Sequence, residues 1–154
     1  MQEKINITVN HTIIIEQRRE TVFDFTQDFS KRMLWDHSFE SCDLISEFPE
    51  RMVRVKAKGG IMSTLVYKHF ERPLKTSLRM TDISSPIIID GGGSWTYEES
   101  GNGNTRWAQT NTLSLPKTIT GWILKYFVRR ALLRNTIQSM DLAKTILERE
   151  ASDS

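Results

Sequence analysis

At 154 residues, with 38% apolar and 26% charged side chains, the chain fits one globular domain with a real core and lies far from disordered or fibrous compositions. A formal charge of +2 is too small to argue for nucleic acid, no stretch nears the ~18 apolar residues of a membrane span, and Met1 to Asn6 lack the apolar centre of a secretory signal, so the cytoplasm is the expected compartment. The single cysteine, Cys42, excludes an internal disulfide framework and a multi-cysteine zinc site.

Ile5, Ile7 and Val9 alternate with Asn6, Thr8 and Asn10 and lead into Ile13, Ile14 and Ile15, the pattern of a strand. Two glycosylation-type triplets, beginning at Asn6 and Asn10, fall inside it and read as strand residues. Glu20 to Phe25 puts Val22 and Phe25 on one face of a short helix, and Ser30 offers an N-cap for a second one through Trp35. From Phe39 to Leu113 short β-rich runs are separated by turn signals at Pro49, Gly59-Gly60, Pro73, Pro86 and Gly101 to Asn104, which predicts about six strands in a meander. The glycines at 91, 92 and 93 sit within a strand pattern and mark a bend, a bulge or a close approach rather than a phosphate loop, because a strand, Ser94 to Tyr97, follows them. After Pro116 the period turns helical from about Lys117 to Glu148, roughly 48 Å long. Its stripe of Ile119, Trp122, Tyr126, Leu133, Ile137, Met140 and Leu147 is expected to face the sheet. No repeat or linker divides the chain, so 1–150 reads as one domain and 151–154 as a tail.

This order of elements, with Thr21 to Phe25 followed by Met33-Leu34-Trp35-Asp36, resembles the SRPBCC or START-like superfamily, whose branches include polyketide cyclases and lipid-transfer domains. Glu71-Arg72-Pro73 is similar to that family's central hairpin, and Gly93 to Glu98 with Asn104 to Trp107 to its last one. The resemblance implies an α+β helix-grip fold: a curved antiparallel sheet of about seven strands around a long C-terminal helix, with a cavity between them. It implies no reaction, because these are packing signatures and carry no catalytic motif.

On the last strand Trp107, Gln109, Asn111 and Leu113 share a face, and the resemblance turns that face inward. Buried amides require partners in protein, water or ligand, so Gln109 and Asn111 mark either a wet pocket or an internally satisfied pair. Trp35, Trp95, Tyr97, Trp107, Trp122 and Tyr126 are rings suited equally to a core and to a cavity lining. Arg129, at the edge of the helical stripe, is placed either to clamp an anionic head group or to reach water.

His11, His37 and His69 lie in different elements without metal-ligand spacing, and no nucleophile motif is present, so neither a metal nor a cofactor is expected. His69 and Tyr67 share a strand face that Val66 and Phe70 argue is the outer one, and Asp82 and Asp90 read as turn residues. Leu124 and Phe127, off the core stripe among Lys125, Arg130 and Arg134, suit a transient contact with an anionic membrane, a second subunit or coverage by a loop. The leading expectation is therefore binding or transfer of a lipid-like or polycyclic molecule by Trp35, Trp95, Tyr97, Trp107, Gln109, Asn111, Trp122, Tyr126 and Arg129. The alternatives are a polyketide cyclase or dehydratase using the same cavity, and a protein-interaction module.

Overall fold

The protein, a computed structural model, is described over residues 3–153. β1 (Lys4–Ile15) buries Ile5, Ile7, Val9 and Ile15 and shows its polar alternates to solvent. α1 (Arg19–Gln27) follows, then α2 (Arg32–Trp35), a single turn. Ser30, the expected cap of that turn, does something else. Its hydroxyl and its backbone N–H both donate to Asp28 Oδ1, at 2.6 and 3.0 Å, because a carboxylate two residues back is a stronger local partner than a helix start. Lys31 holds the cap position without a side-chain bond.

The meander comprises β2 (Phe39–Ser46), β3 (Met52–Ala57), β4 (Met62–Glu71), β5 (Lys75–Thr81), β6 (Asp90–Ser100) and β7 (Asn104–Pro116). Together with β1 these form a seven-stranded sheet in the order β1-β7-β6-β5-β4-β3-β2, each neighbouring pair antiparallel. β1 returns to lie against β7 from Lys4↔Pro116 to Ile15↔Thr105. Asp82 has the positive φ of a turn residue, 50°, as its position suggested. Asp90 instead opens β6 opposite Ser114, and its carboxylate is held by Lys4 at 2.6 Å and Arg79 at 3.5 Å.

On β4 a register shift between Tyr67 and His69 overturns the expected facing. Tyr67 is buried in step with Ser63 and Leu65, and the extra residue beyond it brings Phe70 to the same side, with ring centroids 5.6 Å apart. His69 remains exposed, its Nδ1 2.7 Å from Ser77 Oγ.

α3 (Ile119–Ser152) is a 34-residue helix capped by the Thr118 hydroxyl, which accepts from the Gly121 N–H at 3.0 Å. It starts two residues later than the periodicity suggested and runs past Glu148 into the supposed tail. It packs along β1 and β7 and touches α2. Its stripe is only half as expected: Met140 and Leu147 are fully buried, but Ile119, Trp122, Tyr126 and Leu133 are 82%, 53%, 63% and 36% exposed. The cause is at the helix start. Gly121 brings the helix so close to the Pro116 carbonyl that a Cβ there would collide with it, and the same spot lies 3.3 Å from the Ile5 side chain. This contact rolls the first half so that Leu124, Val128 and Leu132 pack on Ile5, Ile7 and Leu115. Leu124, expected to stand off the core, is therefore part of it. Among the described residues, no helix is long and apolar enough to cross a membrane.

Candidate functional site

A domain of this size usually has one contiguous core, whereas the buried apolar residues here fall into three clusters. The first joins α1, α2 and the second half of α3 through Phe23, Trp35, Tyr97, Trp107, Met140 and Leu147. The second lies on β3 and β4 with Phe29, and the third under the first half of α3. The sheet between the last two is paired as Leu78↔Gly93, Gly93↔Asn111 and Gly91↔Leu113. Leu78, Met80, Asn111 and Leu113 are only half-buried there. Gly91 and Gly93 explain the low floor: a Cβ on Gly91 would strike Met80 Sδ, and one on Gly93 would lie 2.9 Å from Asn111 Oδ1. The backbone is thus bare where neighbouring side chains lean over it.

A line of polar groups runs along this floor beneath α3. Trp95 donates its indole N–H to Asn111 Oδ1 at 3.1 Å, and Asn111 Nδ2 donates to Gln109 Oε1 at 2.8 Å and to Thr136 Oγ1 at 3.1 Å. The inward amides are therefore linked within the protein. One helical turn past Thr136, Ser139 donates to Asp36 Oδ1 at 3.3 Å. Ser38 also donates to that oxygen, from its backbone N–H at 3.2 Å and from its hydroxyl. The other Asp36 oxygen accepts from Arg32 Nε and Nη2, both at 2.8 Å. The Arg32 guanidinium lies 4.7 Å from the Trp35 ring and 4.8 Å from Trp95, a cation lodged between indoles. Burial, the largest single influence, depresses its pKa, but the Asp36 charge and hydrogen bond, with smaller contributions from Tyr67 and Cys42, together hold it above its usual value.

A second network stands against α1. Tyr67 donates to Gln27 Oε1 at 3.0 Å, Gln27 Nε2 donates to the Tyr97 hydroxyl at 2.8 Å, and Tyr97 lies 2.7 Å from Thr26 Oγ1. Thr26 gives its own proton to the Val22 carbonyl at 2.9 Å, so Tyr97 donates to Thr26. Burial pushes both tyrosine hydroxyls up, more than the nearby arginines and hydrogen bonds pull them down. Burial likewise pushes the Cys42 thiol up to about 11, against the pull of Arg32. All three groups hold their protons at neutral pH.

Of the rings and polar groups read from the sequence, Trp35, Trp95, Tyr97, Trp107, Gln109 and Asn111 come together. Trp107 meets Trp35 and Trp95 edge to face at 5.7 and 5.6 Å and stacks on Tyr97 at 6.1 Å. The indole N–H groups of Trp35 and Trp107 are buried without a hydrogen-bond partner. Trp122, Tyr126 and Arg129 stand exposed on the first half of α3, apart from this cluster. Sequence reasoning missed Arg32, Asp36, Gln27, Thr136 and Ser139. The available signals were an Arg and an Asp spaced i,i+4 around Trp35, and two small hydroxyls spaced i,i+3 on the face of α3 that carries Met140. Among the described residues, no group of three His, Cys, Asp or Glu side chains is placed to hold a metal ion.

The model of a family described as polyketide cyclase / dehydrase and lipid transport matches residues 6–148. The chain belongs to this family. No curated protein sequence matches it. Solved structures with the family's fold include TTHA0849 from Thermus thermophilus, 18% identical with a TM-score of 0.78 over 96% of this chain and 99% of that one. They also include the Zhui aromatase/cyclase from Streptomyces sp. R1128, 14% identical with a TM-score of 0.79 over 96% of each chain. A START superfamily protein from Mycobacterium smegmatis is 11% identical with a TM-score of 0.74 over 93% of this chain and 98% of that one. Such identities show the shared fold alone. Within the polyketide cyclase / dehydrase and lipid transport family, the residues that carry chemistry in this chain have to be argued from its own geometry.

Proposed function

We propose that this chain binds a hydrophobic small molecule, lipid-like or polycyclic, in the groove between α3 and the β2 to β5 side of the sheet, without transforming it. The observation that carries the reading is the divided core. Two apolar clusters flank a floor kept low by Gly91 and Gly93, and the polar line of Trp95, Asn111, Gln109 and Thr136 runs along that floor. An apolar trough with a few fixed polar groups is what orients a mostly apolar ligand. The family's description, which names lipid transport, supports binding.

Tyr67, Tyr97 and Cys42 keep their protons at neutral pH and Asp36 is committed to Arg32, so none of these four groups, among the described residues, is free to act as a base for carbon–carbon chemistry. One observation favours the second reading, a cyclase: Arg32 supplies a buried positive charge beside Trp95, which could stabilise an enolate. Either role suits a reducing compartment such as the cytoplasm, where Cys42 stays free.

An environment-sensitive apolar dye titrated into the protein should bind in the micromolar range, roughly −8 kcal/mol. Leu113→Trp, which adds bulk on the half-buried floor, should weaken that binding at least tenfold while the circular dichroism and melting temperature stay near wild type. Unchanged affinity in a folded variant places the ligand elsewhere. Turnover of a poly-β-ketone substrate would favour the cyclase.

A further inference from the structure

We infer that the first half of α3 is a docking surface for an anionic membrane, independent of whether the groove holds a ligand. Five large apolar side chains, Ile119, Trp122, Ile123, Tyr126 and Phe127, are each more than half exposed within little more than two helical turns. Clustered exposure of this kind marks an interaction site, whereas scattered apolar residues do not. Tyr126 and Phe127 pack on each other with ring centroids 5.5 Å apart and the Lys125 ammonium lies 5.2 Å from the Trp122 ring, so rings and cations adjoin within the patch.

Its charge selects the occupant. Lys125, Arg129, Arg130 and Arg134 border the patch, and among the described residues none of them makes an ion pair. The chain carries no Asp or Glu between Glu99 and Asp141. A two-fold contact with a second copy would set this basic patch against itself, which like charges oppose. Nucleic acid would use the cations but leaves the aliphatic Ile119 and Ile123 without a partner. A bilayer with acidic lipids satisfies both halves: apolar side chains enter the acyl boundary, tryptophan and tyrosine sit at head-group depth, and each cation meets phosphate. Because the inner face of this half-helix is pinned on Ile5, Ile7 and Leu115, the patch is presented on a rigid support.

The full chain should sediment with vesicles of phosphatidylcholine containing about one-third phosphatidylserine and not with phosphatidylcholine alone, with Trp emission shifting to the blue on binding. Raising salt to about 0.5 M should release it. Arg130→Glu with Arg134→Glu should weaken vesicle binding at least tenfold, and Phe127→Ser should remove the blue shift; both leave the melting temperature unchanged, since these side chains are exposed. Dye binding in the groove, measured alongside, should be unaffected by either variant. Failure to sediment with acidic vesicles overturns the inference, as does equal binding to neutral ones. Self-association abolished by Phe127→Ser, or retention of an oligonucleotide in place of vesicles, would assign the patch to a second copy or to nucleic acid instead.

Discussion

Arg32 and Asp36 meet at 2.8 Å with side chains only 6% and 8% exposed, one helical turn apart. An ion pair so placed is hard to break and easy to replace, since the loss of one partner strands a charge in the core. Asp36→Ala should therefore destabilise by about 3–5 kcal/mol in urea denaturation. Arg32→Met combined with Asp36→Leu should cost far less than the two single changes added together. A loss below about 1 kcal/mol in Asp36→Ala would mean that water reaches Arg32.

Cys42, with its thiol pushed up to about 11 by burial, should react sluggishly. Alkylation by iodoacetamide at pH 8 should be roughly 100-fold slower than for an unstructured thiol, because the thiolate is the reacting species. The rate should climb as pH rises towards 10, and denaturant should restore the ordinary value. A normal rate in the folded protein would show an open path to the inner face of β2.

Asp90 is held below the usual carboxylate range by its hydrogen bond from Lys4, despite the opposing effect of partial burial. A carboxyl lowered on folding contributes stability that is complete above its unfolded value of about 3.9 and disappears as pH falls through the lower folded value. Asp90→Asn should accordingly be less stable than wild type at pH 7, by about 1 kcal/mol for so partly exposed a pair, and equal to it near pH 2. Chemical denaturation at pH 7, 4 and 2 would show this; a gap that persists unchanged into acid would assign the effect to packing.

The fold was legible because its signals are local. Ile5, Ile7 and Val9 alternate and are all buried, and the change of period after Pro116 does announce α3. That Trp107, Gln109 and Asn111 share a face was legible from the alternation of β7, but which way that face turns came from the family resemblance. Three features were not. The roll of α3 depends on a contact between Gly121 and the Pro116 backbone that no periodicity contains. Tyr67 and Phe70 share a side only because one inserted residue reverses the facing of β4 beyond Tyr67, so the pattern of Val66 and Phe70 pointed to the wrong face. Arg32 and Asp36 have the spacing of an ordinary solvated surface pair, and only the tertiary packing of Trp35 and Trp95 around them takes them out of water.

The pairing of β1 with β7 has a consequence for how the chain is made. Thr8 and Thr112, whose hydroxyls lie 3.1 Å apart, are separated by 104 residues of sequence. A ribosome emits β1 first, yet the partner of that strand is the last one synthesised, so an isoleucine-rich edge waits unpaired while the meander is completed. Completion of the sheet and docking of α3 then become nearly simultaneous events, because Ile5 and Ile7 belong both to the edge strand that β7 pairs with and to the cluster that receives Leu124, Val128 and Leu132. A nascent chain stalled before residue 104 lacks β7 altogether and would expose Ile5 to Ile15 to any chaperone that reads apolar strands, and release of the remaining residues would withdraw them in one step.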